Sequence, residues 1–250
     1  MKYIESIKLT GAIADGYLKE LPAVRWLERE KELTLRATVT FFAGENGAGK
    51  STLMEAIAVA AGFNAEGGSR NFSFSTRETH SGLHESLTLS RGIYRPKDGY
   101  FLRAESLYNV ATHIEELDEL PCGAPITPAY GGSLHLRSHG ESFLAAVGER
   151  FRGRGLYLLD EPDSALSPVG VLTMMGHIAR LEREDSQFII ATHSPILLAY
   201  PGAEILWFSE RGIAPTEYRQ TSHYQLTKRI LDRPDGVFDL LFGDERNTKV

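Results

Sequence analysis

Residues 44–52 read Gly44-Glu45-Asn46-Gly47-Ala48-Gly49-Lys50-Ser51-Thr52 and satisfy G-x-x-x-x-G-K-[ST]. Glycines let a backbone curl until successive N–H groups point inward, and such a nest attracts phosphate oxygens. Lys50 would add a point charge toward the β- and γ-phosphates of a nucleotide, and the Ser51 hydroxyl suits Mg²⁺. Farther along, "LYLLDEPDSALSP" sets Asp160 and Glu161 at the end of an apolar run. Asp160 there could hold Mg²⁺, directly or through water, while Glu161 orients and activates an attacking water. "IIATHSP" ends a second apolar run at His193, whose neutral imidazole could bond a γ-phosphate and report its presence. Adjacent acids can merely terminate a strand, and a strand-end histidine can simply bond backbone. The phosphate loop upstream favours chemistry for both.

These residues need elements to hold them. "LTLRATVTFFAG" (33–44) is β-branched and aromatic and stops at glycine, which predicts a strand running into the loop. "KSTLMEAIAVAAGF" predicts the helix that leaves it, closing near Gly62. "GLYLLD" and "QFIIATH" are short continuous apolar runs, as in buried parallel strands. Between them Pro168 opens a helix, with proline at an allowed first-turn position. Residues 204–218 read as a hairpin about Arg211-Gly212, and the tail from Ser222 as mainly helical. The stretch from Asn64 to about Gly132 is rich in Ser, Gly, Thr and Arg, with one amphipathic helix candidate over 106–120. Strands alternating with helices predict an α/β fold with a central, mostly parallel sheet flanked by helices.

The chain has 250 residues, with 27 Lys and Arg against 33 Asp and Glu, so a generally basic surface for nucleic acid is excluded. Arg150, Arg152 and Arg154 form the densest basic run and read as a solvated turn before a strand. Cys122 is the only cysteine, which rules out an internal disulfide and suits a reducing cytoplasm. The first twenty residues lack a signal peptide's apolar stretch, and no run approaches the roughly 20 residues of a membrane span. The expectation is a cytoplasmic protein without membrane insertion.

A polar cluster, Ser138-His139-Gly140-Glu141-Ser142, suggests a hydrolase nucleophile beside a histidine. It lacks the G-x-S-x-G of a strained nucleophile elbow, so that reading fails. The pairs His135/His139 and His80/His84 have helical spacing, but zinc needs three or four ligands and no cysteine pair supplies the rest.

In order and approximate spacing, "GENGAGKST", "RSHGES", "LLDEPDSALSP" and "ATHSP" resemble the Walker A, signature, Walker B with D-loop, and switch-histidine motifs of ABC-type ATPases. The resemblance spans about residues 41–195. It implies the P-loop NTPase fold, ATP and Mg²⁺ as ligands, ATP hydrolysis, and an ATP-dependent head-to-tail homodimer. Ser138 and Gly140 would then meet the γ-phosphate of ATP held by the partner copy. The domain expectation is one ABC-type ATPase domain over 1–250. Its core would lie at about 1–63 and 150–250, with an inserted, signature-bearing helical or irregular sub-lobe at about 64–149.

The chain departs from that pattern in several places. His139 stands where the signature has a second glycine, and could add a phosphate donor; Glu141 replaces the common glutamine. Ser167 stands where transporter D-loops carry aspartate. No glutamine precedes Gln187, so the Q-loop glutamine is missing, with Glu105 or Asn109 as substitutes. Tyr17 and Trp26 are candidates to stack on adenine. A transporter's ATP-binding subunit would normally carry the Q-loop. An SMC-like repair protein would place hundreds of coiled-coil residues between its halves, and only about ninety separate Lys50 from the signature. The preferred reading is a compact ATPase resembling the SMC/RecF-like side of the family, coupled to an unknown effector protein or nucleic acid. A nucleotide-gated interaction module with negligible turnover is the non-enzymatic alternative, and intact Glu161 argues against it.

Overall fold

The computed structural model describes residues 1–13, 16–69, 81–119 and 124–238. In chain order its elements are β1 (Ile4–Leu9), α1 (Gly16–Glu20), α2 (Pro22–Glu30), β2 (Glu32–Thr34), β3 (Val39–Gly44) and α3 (Lys50–Ala60). Then follow β4 (Gly68–Ser69), β5 (Leu87–Arg91), β6 (Asp98–Arg103), α4 (Leu107–Asp118) and α5 (His139–Ala145). The chain continues through β7 (Gly155–Asp160), α6 (Pro168–Arg183), β8 (Gln187–Ala191), β9 (Glu204–Ser209), β10 (Gly212–Pro215) and α7 (Ser222–Asp232).

A seven-stranded sheet has the order β10-β9-β3-β8-β7-β6-β4. From β9 to β6 its strands run parallel; β10 and β4 pair antiparallel at the two edges. Every residue of β3, β7 and β8 is buried, which explains their continuous apolar sequences. Successive side chains leave opposite faces. Phe42, Leu158 and Ile189 enter one core with α2 and α3, while Phe41, Leu159 and Ile190 enter another with α4, α5 and α6.

A three-stranded antiparallel sheet, β2-β1-β5, covers the first core. Gln187 ties it to the parallel sheet. Its buried side-chain oxygen accepts from the backbone N–H groups of Tyr3 and Ile4 at 2.7 and 2.9 Å, and its amide donates to Ile4 O at 2.8 Å. The first glutamine of the chain is thus a core clamp.

Three expectations change. The strand expected over 33–44 is two strands in two sheets, because the chain crosses between sheets at residues 35–38; there Leu35 N bonds Glu5 O, and Arg36 N bonds the Glu204 carboxylate. The stretch 64–149 is not wholly an insertion. β5 pairs with β1, and β6 lies beside β7 in the central sheet, so both belong to the core sheets. Arg150 is not on a solvated turn either: its Nη1 lies 3.0 Å from each oxygen of Asp98, with Tyr157 OH on the same carboxylate. The helices expected after Lys50 and Pro168 form, as does the hairpin about Arg211-Gly212; the tail is helical over Ser222–Asp232, and residues 239–250 lie outside the described residues. Cys122 and His80 lie outside the described residues. No helix among the described residues is long and apolar enough to cross a membrane.

Candidate nucleotide site

β3 delivers the phosphate loop and α3 carries it away. At Gly44 the backbone has φ of +130°, and a Cβ would fall 2.0 Å from Phe208 O on β9, so only glycine fits. Gly49, also at positive φ, is the N-cap of α3. Ala48 O accepts from Ala23 N at 3.1 Å, which braces the loop against α2. The loop Gly44–Asn46–Gly47–Ala48–Gly49 thus ends at a helix N-terminus, where unpaired N–H groups and the helix dipole favour an anion.

Lys50 is buried, and its Nζ bonds Gly44 O at 3.1 Å and Glu45 O at 2.7 Å. Burial lowers its pKa, opposed by the charges of Glu161, Asp160 and Glu45. The Ser51 hydroxyl donates to Asp160 Oδ1 at 3.0 Å. The sheet therefore brings a loop residue and a carboxylate from the far end of β7 into contact. Thr52 follows in the first turn of α3. Burial pushes the Asp160 carboxyl up to about 6, although Arg103 and Ser51 pull it down.

Arg103 was not foreseen. It ends β6 in register with Asp160 at the end of β7. Its guanidinium spans Asp160 Oδ2 (3.6 Å from Nε), Glu55 Oε2 (3.1 Å from Nη1) and Glu105 Oε2 (3.6 Å from Nη2). Of the expected Q-loop substitutes, Glu105 is exposed and reaches Arg103, and Asn109 is exposed on α4. The side chain that faces Asp160 is Arg103. The signal in the sequence is that "DGYFLR" ends an apolar run in a charge just as "GLYLLD" does.

Glu161 adopts φ of +51°, a left-handed conformation that costs a non-glycine residue of order 1–3 kcal/mol. Its N–H bonds Ala191 O at 3.0 Å, locking the turn onto β8. The carboxylate is half-exposed and stands 4.0 Å from His193 Nε2. Burial lowers the His193 pKa, with Lys50 acting the same way and Glu161 opposing. His193 Nδ1 faces His223 Nε2 of α7 at 3.4 Å, a contact that no local sequence pattern announces. Lys50, Ser51, Asp160, Glu161 and His193 therefore gather at the ends of β3, β7 and β8.

The signature cluster lies elsewhere. Ser138 is the N-cap of α5 in a complete capping box: its Oγ accepts from Glu141 N at 3.3 Å, and its own N–H bonds the Glu141 carboxylate at 2.9 Å. A Cβ at Gly140 would approach Ala165 O to 2.7 Å, so glycine lets α5 rest on the turn after Glu161. His139 is exposed, and its Nε2 lies 3.2 Å from Ala104 O just beyond the end of β6. His135 bonds Thr112 on α4. Ser167 caps α6 by accepting from Gly170 N at 3.1 Å. Trp26 packs over Gly212, filling space beside the hairpin, while Tyr17 is 56% exposed on α1.

Mg²⁺ fits the residues present. Ser51 and the buried Asp160 offer hard oxygen donors beside the phosphate loop, and Mg²⁺ characteristically takes only one or two protein oxygens with phosphate and water completing its shell. Among the described residues no group of three or more His, Cys, Asp or Glu converges as in an all-protein metal site.

The family described as "AAA domain" matches residues 21–99, and that described as "AAA domain, putative AbiEii toxin, Type IV TA system" matches residues 137–199. No curated protein sequence matches the chain significantly. Among solved structures, "an inward-facing conformation of a putative metal-chelate type ABC transporter" superposes with a TM-score of 0.52 at 16% identity, covering 91% of this chain and 88% of that one. The SMC head domain from Thermotoga maritima aligns at 15% identity and TM-score 0.44, over 86% and 99% of the two chains. The dimeric bacterial ABC transporter cassette MJ0796 aligns at 13% and 0.44, over 76% and 90%. A phosphate loop between β3 and α3, facing acidic residues at the end of a neighbouring parallel strand, defines a P-loop NTPase. The fold shared with the transporter structure is that of the P-loop ATPases, and two stretches of the chain, 21–99 and 137–199, match AAA-domain families.

Proposed function

We propose that this protein binds Mg²⁺–ATP at residues 44–52 and hydrolyses it at a site completed by a second copy, coupling turnover to an effector protein or nucleic acid. The observation that carries the reading is the meeting of Ser51 with Asp160 at 3.0 Å, with Glu161 and His193 on the adjoining strand ends. Mg²⁺ held by Ser51 and Asp160 would neutralise phosphate charge and orient the γ-phosphoryl group. Lys50 leaves the carbonyls of Gly44 and Glu45 to meet the phosphates, exchanging neutral acceptors for charged ones. Glu161 accepts the proton of the attacking water, and its left-handed backbone turns the carboxylate out of the β7 line.

The two-copy site is supported by the arrangement of α5. Its capped N-terminus is exposed at Ser138, and the exposed Leu136 (89%) lies two residues before it, as suits a surface that closes on another chain. Ser138 and Gly140 then act on the nucleotide of the partner. A cytoplasmic setting accords with the single cysteine.

The test replaces Glu161 with Gln. ATP affinity by calorimetry should hold, while phosphate release falls by about 10²–10⁴, the usual worth of general-base catalysis. The same variant should pass from monomer to dimer in light scattering with ATP and not with ADP. Wild-type turnover in Glu161→Gln would place the base elsewhere, and co-purification of that variant with ATP tests for the effector.

A further inference from the structure

His193 has two ring nitrogens with different neighbours. Nε2 stands 4.0 Å from the Glu161 carboxylate, and Nδ1 stands 3.4 Å from His223 Nε2. His223 sits in the first turn of α7, just after the cap in which Thr221 accepts from Tyr224 N. The two imidazoles lie 5.2 Å apart, and Trp207 of β9 meets His223 at 5.1 Å and 61°, walling it in from the other side. The remaining nitrogen of His223, Nδ1, is buried with no hydrogen-bond partner among the described residues.

A bond between two imidazole nitrogens needs one proton, and the orphaned atom decides which ring carries it. If His193 donated from Nδ1, a neutral His223 would carry its proton on Nδ1, burying an N–H with no acceptor. The bare Nε2 lone pair of His193 would then face the Glu161 carboxylate. Both features are unfavourable. If His223 donates from Nε2, its Nδ1 is only an unfilled lone pair, and His193 presents Nε2–H to Glu161. Protonating either ring fully is opposed by burial. For His193, Lys50 adds to this against Glu161; for His223, His193 and then Lys50 add to it against Asp163, and both pKa values are held below the ordinary histidine value.

We propose that His223 is a positioning residue for His193: it donates Nε2–H to His193 Nδ1, fixes His193 as the Nε2–H tautomer, and so aims a donor toward Glu161 and the phosphate loop. α7 buries none of its own side chains fully, so this contact links a surface helix to the chemistry. The effect on turnover rests on the ATPase reading above; the tautomer does not.

The experiment is nitrogen NMR on the full chain with ¹⁵N-labelled histidine, without nucleotide, at mildly alkaline pH, with His193 assigned through His193→Gln. The expected wild-type spectrum shows His193 protonated on Nε2 and bare on Nδ1. His223→Phe should lose this preference, and His223→Gln should keep it, because the amide N–H can donate from nearly the same place. In steady-state assays His223→Phe should lower kcat about tenfold, by analogy with the 10–100-fold loss when a metal-bound histidine loses its orienting partner. Its ATP affinity should be unchanged, and His223→Gln should restore most of kcat. A wild-type His193 protonated on Nδ1, or a tautomer indifferent to both substitutions, overturns the proposal. Should His223→Phe fail to fold, the wild-type spectrum and His223→Gln still decide. Should wild-type protein release no phosphate, the ATPase reading falls while the tautomer is judged on its own.

Discussion

The phosphate loop and the turn before α5 both carry serines and glycines, yet they are built in opposite ways. The loop is embedded between buried strands, and its polar groups point at one another across the sheet: Lys50 to its own loop carbonyls, Ser51 to Asp160, Asp160 to Arg103. Ser138, by contrast, spends its contacts on Glu141 three residues ahead, on an exposed helix end. The first arrangement is prepared to hold a charged ligand by itself. The second is locally satisfied, and under the proposed two-copy site it would gain a ligand only when another surface brings one.

The sharpest way to break that contrast is substitution on each side. Lys50→Ala should abolish ATP binding in calorimetry, a loss of at least about 100-fold, since charge-assisted contacts to phosphate are the strong ones. Ser138→Arg should leave the affinity of the monomer unchanged while removing turnover. If Ser138→Arg weakens ATP binding to the monomer as much as Lys50→Ala does, the two regions form one site in one chain. Mixing the two inactive variants sharpens the point further. A mixed dimer has one site with both lesions and one with neither, so part of the activity should return. No recovery at any mixing ratio speaks against a shared site.

A smaller effect separates the metal side from the rest. Burial pushes the Asp160 carboxyl up to about 6, above the ordinary aspartate value, because it disfavours the charged form. At the proposed Mg²⁺ site, protons would therefore compete with the metal as pH falls through about 6. Below it, the Mg²⁺ dependence of nucleotide binding should weaken by about tenfold per pH unit. The sign for folding is opposite. A carboxyl whose pKa is raised in the fold contributes stability that is present below its unfolded value and lost as pH rises through about 6. Acidification from neutral should thus favour the nucleotide-free fold through this group while it weakens Mg²⁺. Mg²⁺ titrations at a series of pH values read the first effect, and denaturant unfolding of the free protein reads the second.

The same contrast explains what could be read in the sequence. The phosphate loop, Asp160–Glu161 and His193 were legible because each motif is local: a turn that demands glycine, or a charge closing a continuous apolar run. Arg103 was not, because its meaning comes from the register that sets it opposite Asp160. β5 and β6 escaped for a related reason. β5 alternates and exposes polar residues, and both sit in a stretch rich in Ser, Gly and Arg, so composition pointed to an insertion although pairing places them in the core sheets. His223 has no local signal whatever; α7 brings it to His193. Gly140 was read as a phosphate-contacting glycine, and its close approach to Ala165 shows a packing need that no spacing rule contains.

The smallest expected effect concerns Ser138, where structural and chemical roles overlap. As the N-cap of α5 it satisfies an otherwise unpaired N–H at Glu141, and its own N–H is satisfied in return by the Glu141 carboxylate. Losing such a cap costs about 1 kcal/mol. In a chain of 250 residues that corresponds to a fall in Tm of about 2–4 °C. Ser138→Ala should show this loss, measured by calorimetry without nucleotide. Ser138→Asn should not, because asparagine caps a helix about as well as serine. The Glu141 side chain supplies a check: Glu141→Ala removes the reciprocal half of the box and should cost a similar amount, but no more when combined with Ser138→Ala than a shared interaction allows. If Ser138→Ala lowers turnover far beyond what this loss of stability explains, while Ser138→Asn keeps the fold and also loses turnover, the hydroxyl has a role that the cap does not account for. If Ser138→Asn restores stability and turnover together, the serine is a helix cap and nothing more, and the contrast with Lys50 is complete.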